Sequence, residues 1–130
     1  MNEQETRTNL ILPKIKEAEW GKDGALIREE YPITDGRLVG GGRRNPPKKA
    51  DYVLQYRNRN LAVIEAKAVN KPYNEGVAQA KSYAERLQVR YTFSTNGEQI
   101  YRIDMQKGEE GKVDDFPKPE KLWEMTFGEL

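Results

Sequence analysis

Two strand-like runs joined by a short polar turn constrain this fold more than any other stretch of the chain. The runs cover residues 52–56 and 61–66, both rich in β-branched and aromatic residues, and the turn between them reads Arg-Asn-Arg-Asn. Turn formers between two such runs are typical of an antiparallel β-hairpin. The apolar part of the second run, residues 61–64, is continuous, which predicts a strand covered on both faces.

Three charged residues stand at one end of this predicted hairpin. Asp51 precedes the first run, and Glu65 and Lys67 close the second. Because the antiparallel return brings the start of the first strand to the end of the second, we expect Asp51 to lie near Glu65. Side chains alternate faces along a strand. The second run is therefore predicted to divide into one face with Leu61, Val63, Glu65 and Lys67 and another with Ala62, Ile64 and Ala66.

The expected pairing of Asp51 with Glu65 suits a divalent cation. Two carboxylates in a partly buried site repel each other unless a cation lies between them. Oxygen ligands favour hard ions such as Mg²⁺ or Mn²⁺. The alternative is that Glu65 and Lys67 form a solvated ion pair at a sheet edge. The apolar run before them argues against this alternative, since charged groups are rarely buried without a reason.

Composition excludes several classes of site. The chain has 130 residues, enough for one domain with a core, and it contains neither cysteine nor histidine. A disulfide framework, a thiolate metal site, a histidine general base and most zinc sites are therefore excluded. No apolar run approaches the roughly 20 residues of a membrane span, and no signal peptide is visible, so we expect a cytoplasmic protein without membrane partners.

Basic residues crowd into the segment just before Asp51. Arg37, Arg43, Arg44, Lys48 and Lys49 lie there, although the net charge of the whole chain is only +1. Such residues usually form a solvated surface. Because these lie beside Asp51, contact with DNA phosphates is an equally open interpretation.

The remaining pattern predicts an α/β fold in which helices flank a mixed central sheet. Residues 1–105 are predicted as the domain and 106–130 as a charged, proline-containing tail or linker. Trp20 and Trp123 are expected to pack in the fold and are assigned no functional site. The other predicted elements are a helix over 3–19 that kinks or restarts at Pro13, a strand over 26–33, a basic loop over 34–49, a helix over 74–88 with Val77, Ala80, Ala84 and Leu87 inward, and strands over 90–94 and 99–103.

Several segments together resemble a known nuclease family. They are Glu5-Thr-Arg7, Ile27-Arg-Glu-Glu-Tyr31, Thr34-Asp-Gly36, Ala50-Asp-Tyr-Val53, Ala62-Val-Ile-Glu-Ala-Lys67, Gln79-Ala-Lys-Ser-Tyr83 and Phe93-Ser-Thr-Asn-Gly97. Over about residues 3–104 the chain resembles the N-terminal nuclease domain of the R subunit of type I restriction endonucleases, within the PD-(D/E)XK superfamily. Asp-X(n)-Glu-X-Lys alone is weakly specific, but its combination with Gln-X-X-X-Tyr and a glutamate in the opening helix is strong. Ala50 departs from the pattern, where a proline is usual.

The resemblance implies a role for each matching residue. Asp51 and Glu65 would hold the metal, with the backbone carbonyl of Ala66 as a further ligand. Lys67 would position or activate the attacking water and balance charge on the phosphate. Glu5 would lie near the metal, where it would contact the metal's ligands or bind the metal through a water molecule. Gln79 and Tyr83, four residues apart and so on one helix face, would contact the DNA backbone or brace the hairpin.

The resemblance also implies an activity, that of a Mg²⁺-dependent endodeoxyribonuclease in which Mn²⁺ can substitute. Its partners would be double-stranded DNA and, in a full-length subunit, methyltransferase and specificity subunits. ATP would be used only by a helicase motor, and no Walker motif occurs here; Gly40-Gly41-Gly42 lacks the Gly-Lys-Ser/Thr ending. We therefore expect a nuclease domain without its motor, as a piece of a longer subunit or a small separate protein, which binds DNA weakly and cuts poorly or without sequence choice. The alternatives are a repair or recombination nuclease and a non-catalytic DNA-binding or assembly module.

Overall fold

The computed structural model describes residues 1–33 and 48–128 in full and the backbone alone of residues 38–39 and 43–44. Its elements are helix α1 (Glu3–Thr6), a π-helix (Arg7–Ile11), α2 (Leu12–Glu17), β1 (Ala25–Ile33), β2 (Leu38–Val39), β3 (Arg43–Arg44), β4 (Lys48–Tyr56), β5 (Arg59–Ala66), α3 (Val77–Leu87), β6 (Tyr91–Thr95), β7 (Ile100–Asp104), β8 (Glu110–Val113) and α4 (Pro119–Phe127). They follow the predicted order, with two short strands added between β1 and β4 and a strand and a helix added after β7.

One mixed sheet organises the described residues. Its six strands lie in the order β1-β4-β5-β6-β7-β8, and β2 pairs with β3 in a separate ladder. The β5–β6 pair is parallel, and the other neighbours in the six-stranded sheet are antiparallel. The crossover from β5 to β6 runs through α3, as parallel neighbours require. The predicted α/β class with a mixed central sheet is confirmed.

The predicted hairpin is the pair β4–β5. Its turn residues Arg57 and Asn58 both have positive φ, which a type I′ two-residue turn requires. The register shifts between Leu54 and Gln55, so that Leu61 on β5 is an extra residue. The bulge interrupts strict alternation, and Leu61 packs in the cluster that contains Ala62. The prediction that Leu61 shares the face of Val63 is therefore wrong.

Both faces of β5 are covered. On one face Ala62, Ile64 and Ala66 join a core built with Ile11 and Ile15 from the first helical region. On the other, Val63 packs in a smaller core that includes Tyr83 of α3. Residues 61–66 are all buried, which confirms the interpretation of the continuous apolar run.

The first helical region changes its winding twice. A π-helix separates α1 from α2, and Pro13, which has no N–H to bond back to the preceding turn, lies in the first turn of α2. The expected restart near Pro13 is confirmed, whereas the π-helix was not predicted. In α3, Ala80 and Ala84 are buried as predicted, but Val77 and Leu87 are only partly buried and Tyr83 takes the inward position.

The segment predicted as a tail is largely folded against the domain. β8 extends the sheet beyond β7, and α4 packs Leu122, which has no exposed surface, into the larger core with Phe116. Trp20 donates from Nε1 to the carbonyl of Pro117 at 2.9 Å, which fixes the chain between these elements. A short polar edge strand and two prolines gave the sequence the appearance of a linker. None of the helices formed by the described residues is long and apolar enough to cross a membrane.

Candidate functional site

β4 and β5 bring Asp51 and Glu65 together at one end of the hairpin. The backbone N–H of Asp51 donates to Oε2 of Glu65 at 2.9 Å, and the backbone N–H of Ala66 donates to Oδ2 of Asp51 at 2.8 Å. Each carboxylate is thus anchored on the backbone of the opposite strand. This is the proximity that the antiparallel return of the hairpin predicts.

The environment of Glu65 disfavours its negative charge. Its side chain lies at the end of a strand buried on both faces, and the residue is only 4% exposed. Burial, followed by the negative charge of Asp51, raises the pKa of Glu65 to about 8. A cation between the two carboxylates would remove this repulsion.

The donor set fits a hard divalent ion that keeps part of its water shell. Within the described residues no group of three or more Asp and Glu side chains forms a metal cluster. The groups at this end of the hairpin that could hold such an ion are the carboxylates of Asp51 and Glu65 and a backbone carbonyl such as that of Ala66. Mg²⁺ is commonly held by one or two carboxylates with water in its remaining positions.

Lys67 lies beside Glu65, under the start of α3. A Cβ atom added to Gly76 would come within 3.4 Å of both Glu65 Cβ and Lys67 Cε, and within 3.0 Å of Ser94 Oγ. The backbone N–H of Gly76 donates to that same Ser94 hydroxyl at 3.1 Å. The absence of a side chain at residue 76 therefore lets α3 approach the site. Sequence reasoning missed Gly76, because it placed this residue inside the predicted helix over 74–88, whereas α3 begins at Val77.

The structure does not join Glu5 to the carboxylate pair. Glu5 Oε1 accepts from the backbone N–H of Asn2 at 3.1 Å, and Asn2 Oδ1 accepts from the N–H of Glu5 at 2.7 Å, a capping box at the start of α1. Glu3 is the α1 carboxylate that interacts with the site, since partial desolvation and then the charge of Asp51 raise its pKa. The N-cap position of Asn2 sets this geometry, because it gives Glu5 the third helical position.

A buried arginine beside Asp51 was also missed. Arg7 is 6% exposed, and its Nη1 lies 3.6 Å from Asp51 Oδ1 and 2.5 Å from Glu30 Oε1. The available signal is spacing, since Arg7, Ile11 and Ile15 recur at four-residue intervals along the inward side of the helical region. A positive charge on that stripe needs anionic partners.

Gln79 and Tyr83 are hydrogen-bonded to each other on α3. Gln79 Nε2 donates to the Tyr83 hydroxyl. The Tyr83 ring is buried against Val53 and Val63 of the hairpin, whereas Gln79 is exposed. Burial is the main cause of the raised pKa of Tyr83, and the charges of Glu65 and Asp51 add to it. The tyrosine thus braces the hairpin, and the glutamine is left at the surface.

The predicted basic residues have different positions. Lys48 and Lys49 are exposed and belong to β4, paired with Ile33 and Pro32 of β1, so their assignment to a loop is wrong. A recess of about 430 Å³ runs from Lys48 to Gln79 and Ser82. The side chains of Arg43 and Arg44, and all of Arg37, lie outside the described residues.

Comparison with known proteins identifies the family. Residues 2–117 match the family model of the type I restriction enzyme R protein N terminus. The chain belongs to this family.

Two relatives agree with this assignment. The chain is 34% identical over 134 aligned positions to the type I restriction enzyme EcoAI endonuclease subunit of Escherichia coli, covering 95% of this chain and 16% of that protein. It superimposes with a TM-score of 0.89 and 39% identity on a solved fragment described as an HsdR subunit of a type I restriction enzyme from Vibrio vulnificus YJ016, covering 98% of this chain and 26% of the other. The chain therefore spans about a sixth of the curated relative. The fold described above is therefore the same as the fold of this solved fragment.

Proposed function

We propose that this domain is a Mg²⁺-dependent DNA endonuclease with a PD-(D/E)XK core, the cleavage module of a type I restriction R subunit. The observation that carries the proposal is the reciprocal anchoring of Asp51 and Glu65, beside Lys67, at the end of a buried strand. Membership of the R-protein family favours this nuclease over one of repair or recombination.

Asp51, Glu65 and the carbonyl of Ala66 would hold the divalent cation, for which Mn²⁺ can substitute. When bound, the cation would act as a Lewis acid and lower the pKa of a coordinated water. Lys67 places an ammonium next to Glu65, where it can orient the attacking water and balance charge on the phosphate. Glu3 is exposed and interacts electrostatically with Asp51 and Lys67, so we propose that its carboxylate accepts a hydrogen bond from that water.

Double-stranded DNA is the proposed substrate. Lys48 and Lys49 are exposed at the start of the strand that carries Asp51. We propose that a phosphate backbone lies along these lysines and the recess between Lys48 and Gln79. Arg43 and Arg44 are proposed to add to this contact. In a full-length subunit, located in the cytoplasm, an ATP-driven motor and the methyltransferase and specificity subunits would supply translocation and sequence choice.

The first experiment combines calorimetric titration of Mn²⁺ with nicking of plasmid DNA at high enzyme concentration. Wild type is compared with Asp51→Ala, Glu65→Ala and Lys67→Ala. We expect the two carboxylate variants to lose Mn²⁺ binding, the lysine variant to keep it, and all three to lose nicking by about 100-fold or more.

Glu120→Gln is the control, because the Glu120 side chain, which pairs with Arg57, is 74% exposed. It should match wild type in both assays. Mn²⁺ binding by wild type without nicking would indicate that cleavage needs the rest of the subunit. A folded wild type that binds no Mn²⁺ would overturn the nuclease proposal in favour of a DNA-binding or assembly module.

A further inference from the structure

Arg7 links three elements around the outer side of Asp51. From the start of the π-helix its guanidinium reaches Glu30 on β1 at 2.5 Å and Asp51 on β4 at 3.6 Å, and a longer contact of 3.8 Å joins it to Glu29. Its Nε also donates to the Tyr52 hydroxyl at 3.4 Å, and its Cζ lies 5.0 Å from the centre of that ring. Arg7 is buried, whereas the side chains of Glu29 and Glu30 are about half exposed.

Two backbone irregularities converge on the Arg7–Glu30 contact. Glu30 has φ of +52° inside β1, a left-handed conformation that costs energy for a residue with a Cβ. Arg7 begins the π-helix, a rare winding that is frequent at functional sites. The left-handed backbone of Glu30 and the start of the π-helix at Arg7 therefore lie at the two ends of one ion pair.

We infer that Arg7 is a positioning residue for Asp51, held in place by Glu30. Asp51 Oδ2 is fixed by the N–H of Ala66, and the Arg7 guanidinium supplies a fixed positive charge beside Oδ1. The Asp51 carboxylate is thus held from two sides before any cation arrives. This inference rests on the proposed function, because the orientation of Asp51 matters for the cation site that it forms with Glu65.

Partners of this kind orient the groups that hold a metal ion, and their loss typically lowers metal affinity by about 10- to 100-fold. Arg7→Met keeps the apolar contact with the Tyr52 ring but removes the charge. Arg7→Lys keeps the charge but loses the planar fork. In calorimetric titrations we expect Mn²⁺ affinity to fall by about tenfold or more in Arg7→Met and to recover partly in Arg7→Lys.

A second readout needs no metal. The unfolding equilibrium is measured in chelator for Arg7→Met, Asp51→Asn and the double variant. If Arg7 acts on Asp51, the two substitutions should be non-additive by about tenfold in the equilibrium constant. Should Arg7→Met fail to fold, Glu30→Gln releases the guanidinium from the solvent side and should lower Mn²⁺ affinity several-fold, whereas Glu29→Gln should not.

Arg90→Met is the matched control, because the Arg90 side chain is only 10% exposed and pairs with Asp104. It should lose stability and keep the Mn²⁺ affinity of wild type. Unchanged or tighter Mn²⁺ binding in Arg7→Met, or an additive cycle with Asp51→Asn, would overturn the inference. A wild type without Mn²⁺ binding would instead count against the proposed function, and the metal-free cycle alone would then decide whether Arg7 positions Asp51.

Discussion

Two buried carboxylates in this molecule have pKa values displaced in opposite directions. Asp104 has its pKa lowered to about 2, chiefly by hydrogen bonds from Arg90, whose Nε and Nη2 lie 2.9 Å from its two oxygens. Glu65 has its pKa raised by burial and by Asp51. A paired carboxylate stabilises the fold, whereas two adjacent ones destabilise it unless a cation is bound, as expected of a binding site.

The Asp104–Arg90 pair predicts a specific pH dependence. Because the pKa of Asp104 is depressed, its contribution to folding is full above its unfolded pKa near 3.9 and is lost as pH falls towards 2. Asp104→Asn should therefore destabilise the protein by roughly 1–3 kcal/mol at pH 6. The difference between wild type and variant should shrink towards zero near pH 2. Urea unfolding at several pH values measures it, and a difference independent of pH would contradict the prediction.

At the scale of elements, the start of α3 is set by the space left at Gly76. In Gly76→Ala the new methyl group meets Ser94 Oγ at 3.0 Å, so either this hydroxyl or the start of α3 must move by a few tenths of an ångström. We expect a loss of about 1–3 kcal/mol in unfolding free energy, measured in denaturant, and weaker nicking. Gly111→Ala is the control, because nothing lies within 4 Å of the added atom. Equal stability of the two variants would show that the approach of α3 is not tight.

The elements also show what the sequence could predict. The β4–β5 hairpin, α3, β6 and β7 follow from local periodicity and turn residues, and hairpin geometry alone brings Asp51 to Glu65. The choice between Glu3 and Glu5 depends on the N-cap at Asn2, since a helix start two residues later would give Glu5 the first helical position that Glu3 holds. The conformation of Glu30 and the anionic partners of Arg7 depend on contacts between elements distant in sequence, which no local pattern contains.

For the whole molecule, the main difference between prediction and structure is the C-terminal segment. β8 is short and half polar, and its burial is low on both faces, so its pattern is weak. α4 has two aromatic residues, Trp123 and Phe127, near the arginines of the hairpin turn. The guanidinium of Arg57 lies 4.8 Å from the Trp123 ring centre, and that of Arg59 lies 5.3 Å from the Phe127 ring centre. The segment therefore covers the end of the hairpin opposite Asp51.

This packing predicts that the fold depends on α4. Leu122 is fully buried in the core that also contains Ala62 and Ile64 of β5. Leu122→Ala should lower the unfolding free energy by about 2–5 kcal/mol, because it leaves a cavity in the core. The same substitution in an unpacked tail would leave no cavity. Lys121→Ala, on the exposed side of the same helix, should change it by less than about 0.5 kcal/mol. Both values come from urea unfolding followed by circular dichroism. If Leu122→Ala were as stable as Lys121→Ala, the segment would be a tail after all, and the hairpin that carries the site would be stable without it.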